Sequence, residues 1–93
     1  MAEYQIDPDG SVKNGSWGQE IAFFDPDGTI RDRRYGQEIG FVESDGTVKD
    51  GRYGREVGFV ESDGTVKDSR YGSVLGQVGP PVHKNGALSL LLG

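Results

Sequence analysis

The ten residues FVESDGTVKD stand at Phe41–Asp50 and occur again, letter for letter, at Phe59–Asp68. Sliding the chain against itself by 18 residues extends the match to four units, at 5–22, 23–40, 41–58 and 59–76. A fixed period must be read before any local propensity, because each repeat buries its apolar face only against its neighbours. The sequence therefore predicts a single repeat domain over 1–93, in which residues 77–93 form a divergent closing segment.

Composition excludes several classes of function. The 93 residues include no cysteine, 33% of them are hydrophobic, and the formal net charge is −5. Without cysteine there is no disulfide framework or thiol nucleophile, and dispersed basic residues in an acidic chain argue against a nucleic-acid partner. The polar N-terminal residues do not form a signal peptide, and the apolar run Leu88–Leu92 is too short to cross a bilayer. We therefore expect no membrane span and a cytoplasmic location.

The DG pair at the centre of each unit predicts a tight turn. In Asp7-Pro8-Asp9-Gly10 the residue order follows the preferences of a type I turn, with the glycine in the left-handed position of a G1 bulge. This is a three-residue hairpin loop. In the third unit it places Val42 opposite Val48 on one face of the hairpin and Phe41 opposite Lys49 on the other. The equivalent glycines form the first glycine column: Gly10, Gly28, Gly46 and Gly64.

The same acidic loops do not carry the ligands of a calcium site. An EF-hand-like loop needs a bidentate carboxylate at its twelfth position. Counted from Asp7 and Asp25, that position falls on Gly18 and Gly36. We therefore expect turns here, with no metal and no cofactor.

A second glycine column predicts a second reversal in each unit. It consists of Gly18, Gly36, Gly54 and Gly72, and each reversal opens on Asn or Asp. We expect positive φ at both glycine columns. Each unit then reads as strand, turn, strand, turn, an all-β chain of antiparallel hairpins without a helix. A left-handed β-helix, with three six-residue faces per 18-residue coil, stays open as an alternative, as does an open β-meander, although stepping by six from Val42 leaves one face of glycine.

Radial closure would remove the exposed strand edges of a flat row of hairpins. At this point IGFVESDGTVKD at 39–50 and VGFVESDGTVKD at 57–68 resemble the β-flower proteins, in which such hairpins form petals about a pseudo-rotational axis. The resemblance implies a radial all-β fold and no catalytic residue.

The closing segment holds the densest apolar stretch of the chain. Pro80-Pro81 interrupts a fifth unit, and Lys84-Asn85-Gly86 predicts a turn into Ala87–Leu92. We expect this stretch to plug the ring of hairpins, and a homo-oligomer formed through 87–92 is the alternative.

Aromatic residues beside arginine recur once per unit and are the candidate ligand-binding residues: Trp17, Arg34, Tyr35, Arg52, Tyr53, Arg70 and Tyr71. Symmetric sites of this kind suit a small polar ligand or a glycan, through stacking and hydrogen bonding. The competing interpretation, which we favour, is that the rings pack the axis of the array with the arginines exposed beside them.

Catalysis has little support in the sequence. The repeated acids Glu20, Glu38 and Glu56 sit in equal environments, whereas hydrolysis needs two carboxylates that differ. We expect them on outward strand positions, paired across strands with basic residues such as Lys49, and His83 in a solvent-facing loop. The sequence thus predicts a non-enzymatic structural or protein-interaction module, with a small-ligand or glycan-binding module as the alternative.

Overall fold

The computed structural model describes residues 4–14 and 18–92 as one antiparallel sheet of nine strands followed by one helix. The elements are β1 (Gln5–Ile6), β2 (Ser11–Lys13), β3 (Glu20–Phe24), β4 (Thr29–Arg31), β5 (Glu38–Val42), β6 (Thr47–Lys49), β7 (Glu56–Val60), β8 (Thr65–Lys67), β9 (Val74–Gln77) and α1 (Val82–Leu92). Strands adjacent in the chain are adjacent in the sheet, from β1 through to β9. This order is that of an open β-meander, and the β-helix alternative is wrong because every strand pair is antiparallel.

The DG loops adopt the predicted conformation. Gly46 has φ of 103°, and its N–H donates to the Glu43 carbonyl at 3.0 Å. The predicted register is also confirmed, with Val42 opposite Val48 and Phe41 opposite Lys49. The turn gains a further bond because Oδ1 of Asp45 accepts the N–H of Thr47 at 2.9 Å. Asp before Gly is thus an Asx acceptor that fixes the start of the second strand.

The second glycine column differs from the prediction. Among the described residues with positive φ there is no member of this column. Its glycines are needed for space, since a Cβ at Gly36 would overlap Oδ1 of Asp32. That oxygen accepts the N–H of Gln37 at 3.0 Å and so closes the turn from inside.

Alternation along the strands gives the sheet an inner and an outer face. On the inner face, the second strand of each hairpin carries one fully buried aliphatic residue: Val12, Ile30, Val48 and Val66, each 0% exposed. Gly40 and Gly58 lie beside them on β5 and β7, and a Cβ at either would meet Leu91 or Leu90 of α1. Glycine in these strands therefore lets the helix approach the sheet closely.

The chain is mostly β as predicted, but a helix covers the inner face, so the expectations of a chain without a helix and of a turn at Lys84-Asn85-Gly86 are wrong. The turn was predicted from Asn85 and Gly86, two residues with poor helix propensity. Burial outweighs that propensity, because Ala87 and Leu88 are 0% exposed and a Cβ at Gly86 would collide with Val60. Asn85 is held as well, donating from Nδ2 to the Gly79 carbonyl at 3.0 Å.

The apolar stretch 87–92 is largely used within the chain. Leu88 is buried in the core and Leu90 and Leu91 pack against it, whereas Leu92 is 40% exposed. An oligomer formed through this stretch would therefore have little apolar area left to bury. No helix in the described ranges, 4–14 and 18–92, is long and apolar enough to cross a membrane.

Candidate functional site

The tyrosines of the second turns lie in solvent. Tyr35, Tyr53 and Tyr71 are 91%, 95% and 93% exposed, so the prediction that they pack the axis is wrong. Tyr35 is the third residue of a turn in which the Gly36 N–H donates to the Arg33 carbonyl at 2.9 Å, and its side chain is open to solvent at that corner. Trp17 lies outside the described residues.

The aromatic rings that the arginines cover are those of phenylalanine, on the outer face of the sheet. Phe23 and Phe59 on the outer face are each 8% exposed. The Arg34 guanidinium lies over the Phe23 ring at 4.8 Å from its centroid, and Arg52 over Phe41 and Arg70 over Phe59 are at 4.9 and 4.5 Å. The sequence signal was present, because Phe opens three of the four units, directly before the residue that stands opposite the buried aliphatic residue of the hairpin.

Each of these arginines also reaches back to the preceding unit. Arg34 Nη2 lies 2.5 Å from Oδ2 of Asp9, Arg70 Nη2 lies 2.5 Å from Oδ2 of Asp45, and Arg52 pairs with Asp27 in the same way. A main-chain hydrogen bond joins the same two units, because the Arg34 N–H donates to Oε2 of Glu20 at 2.8 Å. The arginines are therefore half-exposed and committed to contacts between units, and are not free beside the tyrosines.

Replacing Arg52 by alanine is expected to destabilise the fold by about 1 kcal/mol. The change removes a half-exposed cation–π contact and an ion pair, which are each worth up to about 1 kcal/mol and are not additive. Arg55→Ala is the matched control, because Arg55 is exposed in the same turn and its described bonds are made by its main-chain N–H and carbonyl, which alanine keeps. Urea denaturation of both variants measures the difference. Equal midpoints would mean that the arginine contacts between units contribute nothing.

The DG-loop aspartates have lowered pKa values. The main cause at Asp27 is the hydrogen bond from the Thr29 N–H, and the Arg52 charge adds to it. Asp45 has the same main cause through the Thr47 N–H. The pKa values of Asp9 and Asp63 are lowered in the same direction. All four carboxylates are thus favoured in their charged form in the folded chain.

The lowered pKa values of these aspartates predict that the fold loses stability in acid. A carboxylate whose pKa is lower in the folded chain than in the unfolded chain stabilises the fold above its unfolded value, and this contribution is lost as pH falls through the folded value. The ordinary pKa of an aspartate is 3.8, so the melting temperature should be level near neutrality and should fall as pH drops below about 4. Asp27→Asn should lessen the fall, because the amide oxygen still accepts the Thr29 N–H without titrating. Superimposable pH profiles for the two proteins would contradict the assignment.

The basic residues of the second strands pair within their own hairpin. Lys49 stands opposite Glu56 in the sheet register as expected, but its Nζ lies 2.8 Å from Oε2 of Glu43. That bond is the main reason that the pKa of Lys49 is raised. Glu38 instead accepts the Arg52 N–H at 2.5 Å. The expected pairing of the repeated glutamates with cross-strand lysines is therefore wrong.

A shallow cleft lies beside the first of the exposed tyrosines. It has a volume of about 500 Å³ and is lined by Phe23, Asp25, Arg31, Arg34 and Tyr35. Arg31 Nε lies 2.7 Å from Oδ2 of Asp25. The cleft thus offers donors and acceptors in compensated pairs next to an aromatic ring.

His83 lies at the opposite end of the strands from the tyrosines. It is half-buried, with Nε2 close to Gly46 of a DG loop, and was expected to face solvent. It shares a groove with Asp45, Glu61 and Asp63. Within 4–14 and 18–92, no group of three or more His, Cys, Asp or Glu residues is arranged to hold a metal ion.

Comparison of the chain with protein-family models, with curated proteins and with solved structures gives no match in any of the three.

Proposed function

We propose that the protein is a non-catalytic binding module that takes glycans or similar polar ligands on the tyrosines of its second turns. The observation that carries the proposal is the exposure of Tyr35, Tyr53 and Tyr71, each above 90%. Rings this exposed contribute little to folding, whereas an amphipathic ring with low side-chain entropy is well suited to contact a ligand.

Polar groups in the cleft beside Tyr35 support a hydroxyl-rich ligand. Arg34 is paired with Asp9, and Arg31 with Asp25, so the neighbourhood of Tyr35 has guanidinium donors and carboxylate acceptors without a large net charge. The hydroxyl groups of a sugar both donate and accept hydrogen bonds, and the sugar ring has an apolar C–H face for stacking. Aromatic stacking beside paired polar groups therefore fits a sugar.

The equivalence of the carboxylates in successive units argues against a catalytic role. Glycoside hydrolysis needs one carboxyl protonated and one ionised, in environments that separate their pKa values. Asp9, Asp27 and Asp45 share one environment, and the same N–H bond lowers the pKa of each. Repetition of equal groups suits repeated binding.

We also infer that the hairpins are arranged radially about α1, as the resemblance to β-flower proteins implies. The support is that the helix contacts successive hairpins: Lys84 lies over Phe24 of β3 at 5.5 Å, Leu91 lies against Gly40 of β5, and Leu90 against Gly58 of β7. A radial array would present the second turns together on one rim.

The binding role predicts that the triple variant Tyr35→Ser, Tyr53→Ser, Tyr71→Ser melts like the parent and loses retention on an immobilised glycan panel. Exposed substitutions should each change the stability by less than about 0.5 kcal/mol. Tyr4→Ser is the matched control, because Tyr4 packs against the core and should lower the melting temperature without lowering retention by the folded protein. Undiminished retention of the triple variant would overturn the proposed function.

A protein-interaction role is the second candidate, and β9 favours it. Val74 and Leu75 are 62% and 51% exposed, and β9 is the last strand of the sheet. Sedimentation velocity over a range of concentrations tests self-association here. A mass increase that Val74→Ser and Leu75→Ser abolish would support this role over a purely monomeric binder.

A further inference from the structure

The three exposed tyrosines stand at regular intervals. Tyr35 lies between β4 and β5, Tyr53 between β6 and β7, and Tyr71 between β8 and β9. Successive tyrosines are thus two strands apart, which corresponds to about 10 Å where strands keep their usual separation of about 4.8 Å. The interval is comparable with the disaccharide repeat of an extended polysaccharide.

The arginine that directly precedes each tyrosine in the chain is paired with a carboxylate of the preceding unit. The guanidinium of Arg52 pairs with Asp27 and its main-chain N–H donates to Glu38. Arg70 has the equivalent partners in Asp45 and Glu56. An anionic ligand would have to displace these carboxylates and would meet a chain of net charge −5. The sites therefore favour an uncharged ligand.

We propose that the ligand is an uncharged, extended, β-1,4-linked polysaccharide that lies across successive second turns and stacks a sugar ring on each tyrosine. This rests on the proposed function and specifies its ligand. Identical sites at a regular interval favour a ligand that itself repeats, because each further contact is intramolecular and raises the avidity.

Isothermal titration with β-1,4-linked gluco-, xylo- and manno-oligosaccharides, each from the disaccharide to the hexasaccharide, tests the proposal. At least one series should bind with an affinity that rises by about 10-fold or more with length, since linked contacts multiply avidity. The affinity should be unchanged when the salt concentration is raised, because no net charge is neutralised. Polygalacturonate should bind more weakly than the neutral hexasaccharide.

Single variants separate a spanning ligand from independent sites. Tyr53→Ser leaves Tyr35 and Tyr71 about 20 Å apart, too far for a tetrasaccharide to bridge, and should return the tetrasaccharide to the affinity of the disaccharide. Tyr35→Ser leaves Tyr53 and Tyr71 adjacent, so the tetrasaccharide should retain most of its gain over the disaccharide. If the disaccharide binds as tightly as the hexasaccharide in every series, the spanning ligand is wrong and the proposed function stands. Stronger binding of the charged polymer would also overturn the proposed ligand. Failure to bind any sugar would overturn both.

Discussion

Ending the chain after Gly86 is expected to abolish cooperative folding. The truncation removes Leu88, which is 0% exposed, together with Leu90 and Leu91, which pack against the core. A fully buried leucine is worth about 1.5–3 kcal/mol relative to exposure, and a small domain is stable by about 5–15 kcal/mol in total. The inner face of the sheet would also be open to water. Loss of the helix should therefore remove most of the stability.

Circular dichroism and thermal melting of the truncated chain measure this effect. Leu92→Ser is the control, because Leu92 belongs to the same apolar run but is 40% exposed, and its melting temperature should stay close to that of the parent. A truncated protein that keeps a sigmoidal melt and the parental sheet signal would show that the hairpins stand without α1.

Gly46→Ala is expected to destabilise the protein by about 2 kcal/mol or more. A Cβ is disfavoured at the φ of 103° found here by about 1 kcal/mol, and in this chain it would also collide with the Val60 carbonyl oxygen. That oxygen belongs to the neighbouring hairpin, so relief of the clash would require the two hairpins to separate.

Gly51→Ala provides the matched control for that variant. A Cβ at Gly51 would meet only Glu38, at 3.8 Å or more, and the equivalent positions in the second and fourth units are Arg33 and Ser69. Its denaturation midpoint should change little. Similar denaturation midpoints for the two alanine variants would show that the DG glycine needs neither its left-handed conformation nor its close packing.

The DG hairpins could be predicted from the sequence because their determinants are local. Asp, Pro and Gly each restrict the backbone within four residues, and the resulting turn sets the register of the strands beside it. The pairing of Phe41 with Lys49 follows from that turn alone. Because the sequence repeats, the same turn and register follow in each unit.

The helix and the direction of the tyrosines could not be predicted, because their determinants are tertiary. Gly86 lowers helix propensity, yet the absence of a Cβ at this position lets the helix pack closely against Val60. Tyr35 stands in a turn, where the alternation that assigns strand residues to faces does not apply. The positive φ expected at Gly36 was wrong for a related reason, since the carboxylate of Asp32 folds under the turn and requires space there.

The position of α1 in the chain order has a consequence during synthesis. Val12, Ile30, Val48 and Val66 emerge from the ribosome before the helix that covers them, so the hairpins exist for a time with an uncovered apolar face. Short hairpins without their covering element are marginally stable, and strands exposed in this way are prone to pair with other chains. Neighbouring nascent chains on one messenger are therefore the first competitors of α1 for the inner face.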